Sequence, residues 1–290
     1  MQWQNRCMRV LSIQSSVSYG HVGNSAAVFP MQRLGHEVMP VYTVLFSNHT
    51  GYGAWKGPMM SGDNIRDIVT GIDERGGLHD VDLVLSGYQG GNDIGDAILD
   101  AVELVKQRNP NATYTCDPVL GSAVSGCFVA PEVQSLIRDR VVPKADLITP
   151  NQFELGFLTD TNPLTLEETL ASVELVQAKG PQRVLVTSVL RPDRPEDTIE
   201  MLAVTPDGAW LVQTPQLPFK ANGSGDVTAA LFSTHLLTSG DPADALSRTA
   251  ASVFELLNNT LKSGHRELQL IESQEAYVQP KQQFKVTQVR

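Results

Sequence analysis

The chain has 290 residues, in which 22 Lys and Arg face 32 Asp and Glu, so the formal net charge is −10. This acidic balance argues against a nucleic-acid-binding protein, because such proteins carry basic surfaces that displace counterions. With 41% hydrophobic residues, 23 Gly and 17 Pro, the composition is that of a folded globular protein and excludes disorder as the main state.

Strands and helices are predicted to alternate along the first two thirds of the chain. Residues 9–15 indicate a short buried strand, and after a glycine-containing loop residues 24–34 indicate a helix that ends at Gly35. Further strands are predicted at residues 37–46, 81–87, 113–119, 145–151 and 183–189, and further helices at residues 64–76, 93–108, 131–142 and 165–179. Thr165 and Glu168 have the spacing of a capping box at the start of the last of these helices.

The last third of the chain begins with two strands, at residues 199–204 and 209–214, which flank a Pro-Asp-Gly turn and therefore predict an antiparallel hairpin. Two helices are expected to close the fold, one beginning near Asp226 and one at Asp241 with Pro242 in its first turn. Alternating strands and helices predict an α/β fold, with a mostly parallel central sheet, helices on both of its faces and the hairpin at one edge.

Cysteine usage and hydropathy indicate a cytoplasmic protein. Cys7, Cys116 and Cys127 are too few and too scattered for a disulfide framework or a zinc site. The N-terminal stretch lacks the apolar core of a secretory signal, and the longest uncharged stretch, residues 10–32, contains polar side chains that a bilayer would reject. No repeat or linker divides the chain, so we expect one domain over residues 1–290 and no membrane contact.

The sharpest local motif is Asn222-Gly223-Ser224-Gly225-Asp226, directly before a predicted helix. Two glycines let the backbone turn tightly beside a ligand, and the helix start adds unpaired N–H groups, which together predict an anion hole. Asp226 can accept a proton from an alcohol that attacks a phosphoryl group held there. A short Gly-x-Gly match is weak by itself, and a plain turn with Asp226 as helix N-cap is the alternative.

Polar residues follow the ends of four predicted strands, where ligands bind in doubly wound sheets. These ends carry Gln14-Ser15-Ser16, Ser86-Gly87-Tyr88, Cys116-Asp117-Pro118, and Thr149-Pro150-Asn151 with Glu154 one turn further on. We therefore expect Asp117 and Glu154 on the same rim as Asp226, where they suit Mg²⁺ bound to a nucleoside triphosphate. A Walker A loop is absent from the sequence, and the glycines after the first strand have the wrong spacing for a dinucleotide fingerprint.

These motifs resemble a known family. The glycine motif and the preceding Asn151-Gln152-Phe153-Glu154 are similar to those of the ribokinase-like superfamily of small-molecule kinases. Five segments resemble the pyridoxal kinases within it: QSSVSYGHVGNSAA (14–27), FSNHTGYGAWKG (46–57), LSGY (85–88), CDPVLG (116–121) and DLITPNQFEL (146–155). The resemblance covers nearly the whole chain. It implies a ribokinase-like three-layer α/β/α sandwich and phosphorylation of the 5′-hydroxyl of pyridoxal by ATP, an alcohol-directed phosphotransfer in vitamin B6 salvage.

The resemblance also implies roles for particular residues. Around the reacting groups it places the base Asp226 and the anion-hole residues Gly223, Ser224 and Gly225. On the pyridoxal side it places Ser15, Thr50, Gly51 and Tyr88. On the ATP side it places Asp117, Thr149, Asn151, Glu154, Thr187, Ser188 and Asn222, with Asp117 and Glu154 as metal ligands. It further implies Mg²⁺, a monovalent cation such as K⁺, and a homodimer; pyridoxine and pyridoxamine are possible further substrates.

Some positions depart from the pattern of relatives. Ser122 stands where some relatives carry an acidic residue, and Lys220-Ala221-Asn222 replaces a more apolar run. Thr187 brings no positive charge where related kinases carry either Thr or Lys, so charge neutralisation should depend more on metal ions. Residues 190–198 have no readable role.

Two alternative functions stay open beside the main one, and some residues near the site have more than one interpretation. A hydroxymethylpyrimidine kinase of the same superfamily is disfavoured by the FSNHTGY match, and a vitamin-B6-binding protein without turnover is disfavoured by Asp226 with both glycines. His21 and His49 are interpreted as structural hydrogen-bonding residues rather than catalysts. Tyr52 and Trp55 can either cover the substrate or pack at a subunit contact.

Overall fold

The computed structural model describes residues 7–219 and 221–290, so Lys220 of the unusual Lys220-Ala221-Asn222 run lies outside the described residues. The strands are β1 (Arg9–Tyr19), β2 (Glu37–Asn48), β3 (Val81–Ser86), β4 (Thr113–Cys116), β5 (Gly121–Ser122), β6 (Gly126–Cys127), β7 (Leu147–Ile148), β8 (Arg183–Val189), β9 (Thr198–Thr205), β10 (Gly208–Pro215) and β11 (Val286–Gln288). The helices are α1 (Asn24–Arg33), α2 (Gly62–Asp73), α3 (Asn92–Arg108), α4 (Pro131–Leu136), α5 (Gln152–Thr159), α6 (Leu166–Gln177), α7 (Ser224–Ser239), α8 (Pro242–Ser263) and α9 (Gln274–Val278).

One large sheet organises the described part of the chain, with strand order β11-β10-β9-β8-β7-β4-β3-β1-β2. From β2 across to β8 the neighbouring strands run parallel, and β9, β10 and β11 each run antiparallel to their neighbours. The expected parallel sheet with an antiparallel edge hairpin is thus confirmed. The chain leaves β1 in one direction towards β2 and later in the other from β3 towards β8, so the strand order reverses between β1 and β3, which is where such sheets bind ligands.

Helices cover both faces of the sheet, as the alternation of strands and helices predicted. On one face α1, α7, α8 and α9 contact one another, and on the other α2 packs on α3, α3 on α4 and α5 on α6. Helix α7 is buried along most of its length, from Val227 to Leu236, because it lies beneath neighbouring helices on the sheet. This burial fixes the position of the N-terminus of α7, where the glycine motif lies. None of the helices in the described ranges has the length and apolar character needed to traverse a lipid bilayer.

Several element boundaries differ from the sequence-based prediction. Strand β1 continues to Tyr19 because it resumes pairing with β2 after an irregularity between Gln14 and Ser16. The expectation that two helices close the fold was wrong, since α9 and β11 follow α8 and β11 extends the sheet at its edge. A strand of three residues is too short to show a period. The capping box of Thr165 and Glu168 is confirmed.

The side chain of Asn24, at the start of α1, ties the helix to the two strands beside it. It is 3% exposed, and its amide nitrogen lies 3.1, 3.3 and 3.0 Å from the carbonyl oxygens of Ser12, Gln14 and Val41. Its Oδ1 accepts a hydrogen bond of 2.7 Å from the Ser12 hydroxyl. The amide thus satisfies carbonyls beside the irregularity in β1 and fixes the part of the strand that carries Ser15.

We predict that Asn24→Ala destabilises the protein by roughly 1–3 kcal/mol, because buried carbonyls lose their donors. Urea unfolding followed by circular dichroism measures the change. The matched control is Asn111→Ala at an exposed turn position, which we expect to change the free energy of unfolding by less than about 0.5 kcal/mol. Equal unfolding midpoints for Asn24→Ala and the wild type would contradict the assigned role.

Candidate active site

The glycine motif forms the start of α7 at the carboxyl edge of the sheet. Gly223 is the N-cap with φ 86°, so Asp226 lies inside the first turn and is not the N-cap. A Cβ built on Gly223 would lie 1.9 Å from the carbonyl oxygen of His21, so glycine alone permits this approach of two backbones. A Cβ on Gly225 would instead meet one neighbour within 4 Å, Asp117 Oδ2 at 3.8 Å. The helix start therefore faces open space beside a carboxylate.

Asp226, which the sequence predicts as the base, is half-buried in the first turn of α7. Burial raises the pKa of its carboxyl to about 6, and backbone N–H groups of Gly23 and of Asp226 itself oppose the rise. The carboxylate form therefore predominates at neutral pH and can still accept a proton, which is the compromise a general base needs.

Glu154 anchors the loop that follows β4. Its Oε1 accepts hydrogen bonds from the backbone N–H groups of Leu120 at 2.8 Å and Gly121 at 3.2 Å, and its Oε2 accepts one from Asn151 at 2.9 Å. The Asn151 side chain accepts a capping hydrogen bond from the Glu154 backbone N–H through its oxygen and donates one to the Gly121 carbonyl through its nitrogen. Burial nevertheless raises the pKa of Glu154 to about 7. A metal contact would therefore use its remaining lone pairs or a bridging water.

Asp117 lies between the other two carboxylates and is 7% exposed. Burial raises the pKa of Asp117 well above its usual value, and the charges of Glu154 and Asp226 raise it further. The Thr149 hydroxyl at the nearby strand end and the backbone N–H of Val119 donate to Asp117 and oppose part of this rise. A buried carboxylate beside two other carboxylates is a group whose charge a bound cation would offset.

These donors fit Mg²⁺ carried by nucleotide phosphates better than a metal caged by protein. Within residues 7–219 and 221–290, no cluster of three or more His, Cys, Asp or Glu side chains is arranged to hold a metal ion. Mg²⁺ commonly takes one or two carboxylates together with phosphates and water. Asp117 and Glu154 supply that number of hard oxygen ligands at the edge where the anion hole opens.

A cavity of about 530 Å³ extends from the start of α7 between β9, β10 and α8. Its wall includes four of the residues expected around ATP or the anion hole, namely Thr187, Ser188, Ser224 and Gly225. Apolar side chains such as Phe254 line its far end. The volume lies in the range of small-molecule and cofactor pockets, and the polar end is the one that adjoins Asp117.

The residues expected on the pyridoxal side do not line this cavity and lie elsewhere around the glycine motif. Ser15 is buried within β1, at the irregularity between Gln14 and Ser16 and not at the end of the strand as predicted, and a Cβ on Gly23 would lie 2.4 Å from its Oγ. Thr50 and Gly51 form a single turn after β2, and a Cβ on Gly51 would lie 3.3 Å from the amide nitrogen of Asn222. Asn222 thus faces the loop after β2 and is not among the residues lining the 530 Å³ cavity.

The third expected strand end adjoins the first. A Cβ on Gly87 would lie 2.4 Å from Oε1 of Gln14, so the end of β3 contacts β1 beside the irregularity in that strand. Tyr88 follows at once and is half-buried, and its carbonyl oxygen accepts a hydrogen bond from the Thr43 hydroxyl at 3.3 Å. Tyr88 therefore lies at the reversal point of the strand order, between β1 and β3.

The structure explains two positions that the sequence left open. Ser122 belongs to the short ribbon of β5 and β6, and its hydroxyl lies 2.9 Å from that of Ser125. In the segment 190–198, the guanidinium of Arg191 donates to both oxygens of Glu200 at 2.7 and 2.8 Å. Glu200 is 1% exposed and lies in the wall of the large cavity, so Arg191 of this segment fixes a residue of that wall.

Sequence reasoning missed the part of the site contributed by the loop after α8. Glu267 accepts hydrogen bonds from His49 and Tyr52, and Arg266 lies 3.9 Å above the Tyr52 ring. The histidine at position 49 is therefore hydrogen-bonded, in line with its interpretation as structural. Tyr52 contacts this loop of its own chain. A charged pair in a loop carries no periodic signal, so nothing in the sequence singled it out.

Comparisons with known proteins agree with this geometry. Residues 94–270 match the phosphomethylpyrimidine kinase family. The chain is 65% identical to the pyridoxal kinase PdxY of Leifsonia xyli and 57% identical to that of Corynebacterium diphtheriae, each over 97% of this chain and 100% of the relative. A solved pyridoxal kinase from Leishmania donovani in complex with ADP and pyridoxamine is 28% identical, with a TM-score of 0.90 over 97% of this chain and 99% of that one.

The fold and the site define a small-molecule kinase of the ribokinase-like class. Within that class the chain belongs to the pyridoxal kinase family. It is therefore a kinase enzyme, and the family and fold predicted from the motifs are confirmed.

The two glycines of the motif should respond differently to alanine. Gly223→Ala should lower stability by roughly 1–3 kcal/mol, because the new Cβ meets the His21 carbonyl at a positive φ. Gly225→Ala should leave stability unchanged or slightly higher, because its Cβ has room. Kinase activity should nevertheless fall in Gly225→Ala, since the methyl group projects where phosphate binds. Thermal unfolding and an ADP-release assay test both; full activity in Gly225→Ala would contradict an anion hole here.

Asp226→Asn should stabilise the ligand-free protein at alkaline pH. The pKa rises from 3.8 to about 6 on folding, so the contribution of Asp226 to stability is complete below pH 4 and is lost as the pH rises through 6. The neutral amide avoids that loss, and the gain at pH 8 should be about 1–3 kcal/mol. Calorimetry at pH 5 and pH 8 measures it, with Asp67→Asn on the exposed face of α2 as control. A gain that does not shrink at pH 5 would refute the electrostatic explanation.

Proposed function

We propose that the chain transfers the γ-phosphoryl group of ATP to the 5′-hydroxyl of pyridoxal and so forms pyridoxal 5′-phosphate in vitamin B6 salvage. The observation that carries this proposal is Asp226, held in the first turn of α7 directly after Gly225, with a pKa raised to about 6. A base in that range, next to a phosphate-sized opening and a 530 Å³ cavity, suits an alcohol acceptor and a nucleotide donor.

The proposed chemistry assigns the first step to Asp226. Its carboxylate takes the proton of the 5′-hydroxyl as the oxygen bonds to the γ-phosphorus, and the bond to the oxygen bridging the β- and γ-phosphates breaks, releasing ADP. Gly223, Ser224 and Gly225 hold the transferring phosphoryl with backbone N–H groups at the positive end of α7. Most of the acceleration then comes from alignment of the two oxygens in line with the phosphorus.

The nucleotide side of the proposal comprises Thr187 and Ser188 in the wall of the large cavity, with Thr149 and Asn151 nearer the phosphates. Asn222 was also expected here, and its position beside Gly51 favours a contact at the junction of the two substrates.

Mg²⁺ would be held at Asp117 and Glu154, and when bound it neutralises charge on the phosphates. Burial and the neighbouring charges of Glu154 and Asp226 raise the pKa of Asp117, and a cation bound to this carboxylate would offset both effects. Thr187 contributes no charge, so we expect a strict requirement for a divalent metal, with a monovalent cation such as K⁺ as a further activator.

The pyridoxal side of the proposal comprises Ser15, Thr50, Gly51 and Tyr88. Solved Leishmania donovani pyridoxal kinases hold ADP with pyridoxamine or with pyridoxine, and we propose that this chain accepts both compounds besides pyridoxal. A homodimer with a complete active site in each subunit, as the resemblance to the family implies, is also part of the proposal. Cytoplasmic location and a single domain over residues 1–290 complete the proposal.

An ADP-release assay separates the candidate functions. Pyridoxal, pyridoxine, pyridoxamine and hydroxymethylpyrimidine are compared as acceptors, with and without Mg²⁺ and K⁺. The proposal expects the highest kcat/KM with pyridoxal and no turnover after chelation of Mg²⁺. A preference for hydroxymethylpyrimidine would favour that kinase activity instead, and binding of pyridoxal without ADP release from any acceptor would indicate a carrier.

Asp226→Asn should reduce kcat by roughly 10²–10⁴-fold while pyridoxal still binds, because the amide keeps the shape but cannot accept the proton. In the wild type, kcat/KM should fall as the pH drops through about 6, since protonation removes the base. Steady-state kinetics between pH 5 and 8 and equilibrium titration with pyridoxal provide both readouts. Wild-type turnover by Asp226→Asn would refute the mechanism.

A further inference from the structure

Glu267, in the loop after α8, joins two loops that are distant in sequence. Its side chain is 12% exposed, and its Oε1 accepts hydrogen bonds from the Tyr52 hydroxyl at 2.6 Å and from Nε2 of His49 at 3.0 Å. Its Oε2 accepts a bond from the backbone N–H of His21 at 3.2 Å. Burial acts to raise the pKa of Glu267, but the bonds from Tyr52 and His49 outweigh it, and the net pKa lies below its usual value.

An ionised Glu267 defines the state of its partners. A carboxylate only accepts hydrogen bonds, so Nε2 of His49 donates the bond to Glu267. Nδ1 is buried and has no partner among the described residues. The His49 and Tyr52 rings also contact each other, with centroids 4.7 Å apart. One carboxylate thereby orients both aromatic side chains that flank Thr50 and Gly51.

The neighbouring Arg266 holds the same loop from its other side. Its Nη2 donates a hydrogen bond of 3.0 Å to the carbonyl oxygen of Gly51, and its guanidinium lies 3.9 Å from the centre of the Tyr52 ring. Two consecutive residues thus fix the turn Thr50–Tyr52: Glu267 accepts a hydrogen bond from the Tyr52 hydroxyl, and Arg266 donates one to the Gly51 carbonyl.

Glu267 is also connected, through His21, to the glycine motif at the start of α7. The backbone N–H of His21 bonds to Glu267, and the carbonyl oxygen of His21 is the atom that lies against Gly223. On the other side, the Asn222 amide lies 3.4 Å from Nε2 of His49. Gly20 leaves space for the carboxylate, since a Cβ there would lie 2.2 Å from Oε2. Glu267 therefore connects the loops after β1 and β2 with the start of α7.

We propose that Glu267 is a positioning residue for the phosphoryl acceptor. It holds the turn of Thr50 and Gly51 at a set distance from the start of α7, so that an acceptor bound there presents its hydroxyl to Asp226. Glu267 does not line the 530 Å³ cavity, so nucleotide binding should be largely independent of it. This inference rests on the proposed function, because it takes pyridoxal as the acceptor.

The test compares steady-state constants for the two substrates in Glu267→Gln and Tyr52→Phe. Glu267→Gln should raise KM for pyridoxal roughly 10-fold to 100-fold, as expected for lost hydrogen bonds to a charged group. KM for ATP should stay within about twofold. Tyr52→Phe removes one of the three bonds and should give a smaller change of the same kind. The matched control Glu275→Gln removes an exposed carboxylate paired with Arg33 and should change neither constant.

A merely structural role would move the two KM values together, and that outcome would overturn the proposal, as would an unchanged KM for pyridoxal in Glu267→Gln. If Glu267→Gln fails to fold, Tyr52→Phe decides alone: a raised KM for pyridoxal with an unchanged KM for ATP supports the proposal and two unchanged constants refute it. A wild-type enzyme that releases no ADP with pyridoxal would instead refute the proposed function, which distinguishes the two failures.

Discussion

The site depends on three carboxylates that the fold holds largely out of water at one edge of the sheet. Burial raises the pKa of Asp226 to about 6 and that of Glu154 to about 7, and burial together with the charges of these two residues raises the pKa of Asp117 well above its usual value. Such crowding is costly in an unoccupied protein, because each charge is deprived of solvent and repelled by its neighbours. Hydrogen bonds from backbone N–H groups offset part of this cost. Binding of a cation, or of a proton by a carboxylate, would offset the rest.

We propose that backbone N–H groups supply much of the positive potential that an acidic protein needs to handle ATP, since no Lys or Arg among the described residues lines the 530 Å³ cavity. The net charge of −10 at first excludes nucleic acid, but part of the excess acid belongs to the active site itself. Peptide N–H groups of Leu120, Gly121 and Asn151 bond to Glu154, and those at the start of α7 face the open space beside Asp117. Fixed dipoles of this kind cost no reorganisation during the reaction.

Residues that follow parallel strands could be predicted from the sequence, because such strands end at one edge of the sheet, where Asp117 follows β4 and Glu154 lies in the first turn of α5. Ser15 was expected at a strand end too, but β1 continues to Tyr19 and Ser15 lies at the irregularity within it. Contacts that depend on a loop's path could not be predicted. Glu267 lies 215 residues from Tyr52 in sequence, and no periodicity marks either as a partner. Likewise, β11 has three residues, too few for a strand pattern. Local motifs therefore identified the residues proposed for the chemistry. Glu267, proposed to position the acceptor, is brought to the site only by the tertiary structure.

The most direct test of the carboxylate account is the number of protons released when preformed Mg·ADP binds. Titration calorimetry at pH 7 in buffers of different ionisation enthalpy gives that number. If Asp117 and Glu154 hold protons in the free enzyme and receive the metal, binding should release protons, and Asp117→Asn should release fewer. Tight binding of Mg·ADP with no proton release, equal in the wild type and in Asp117→Asn, would contradict the claim that these crowded carboxylates form the metal end of the site.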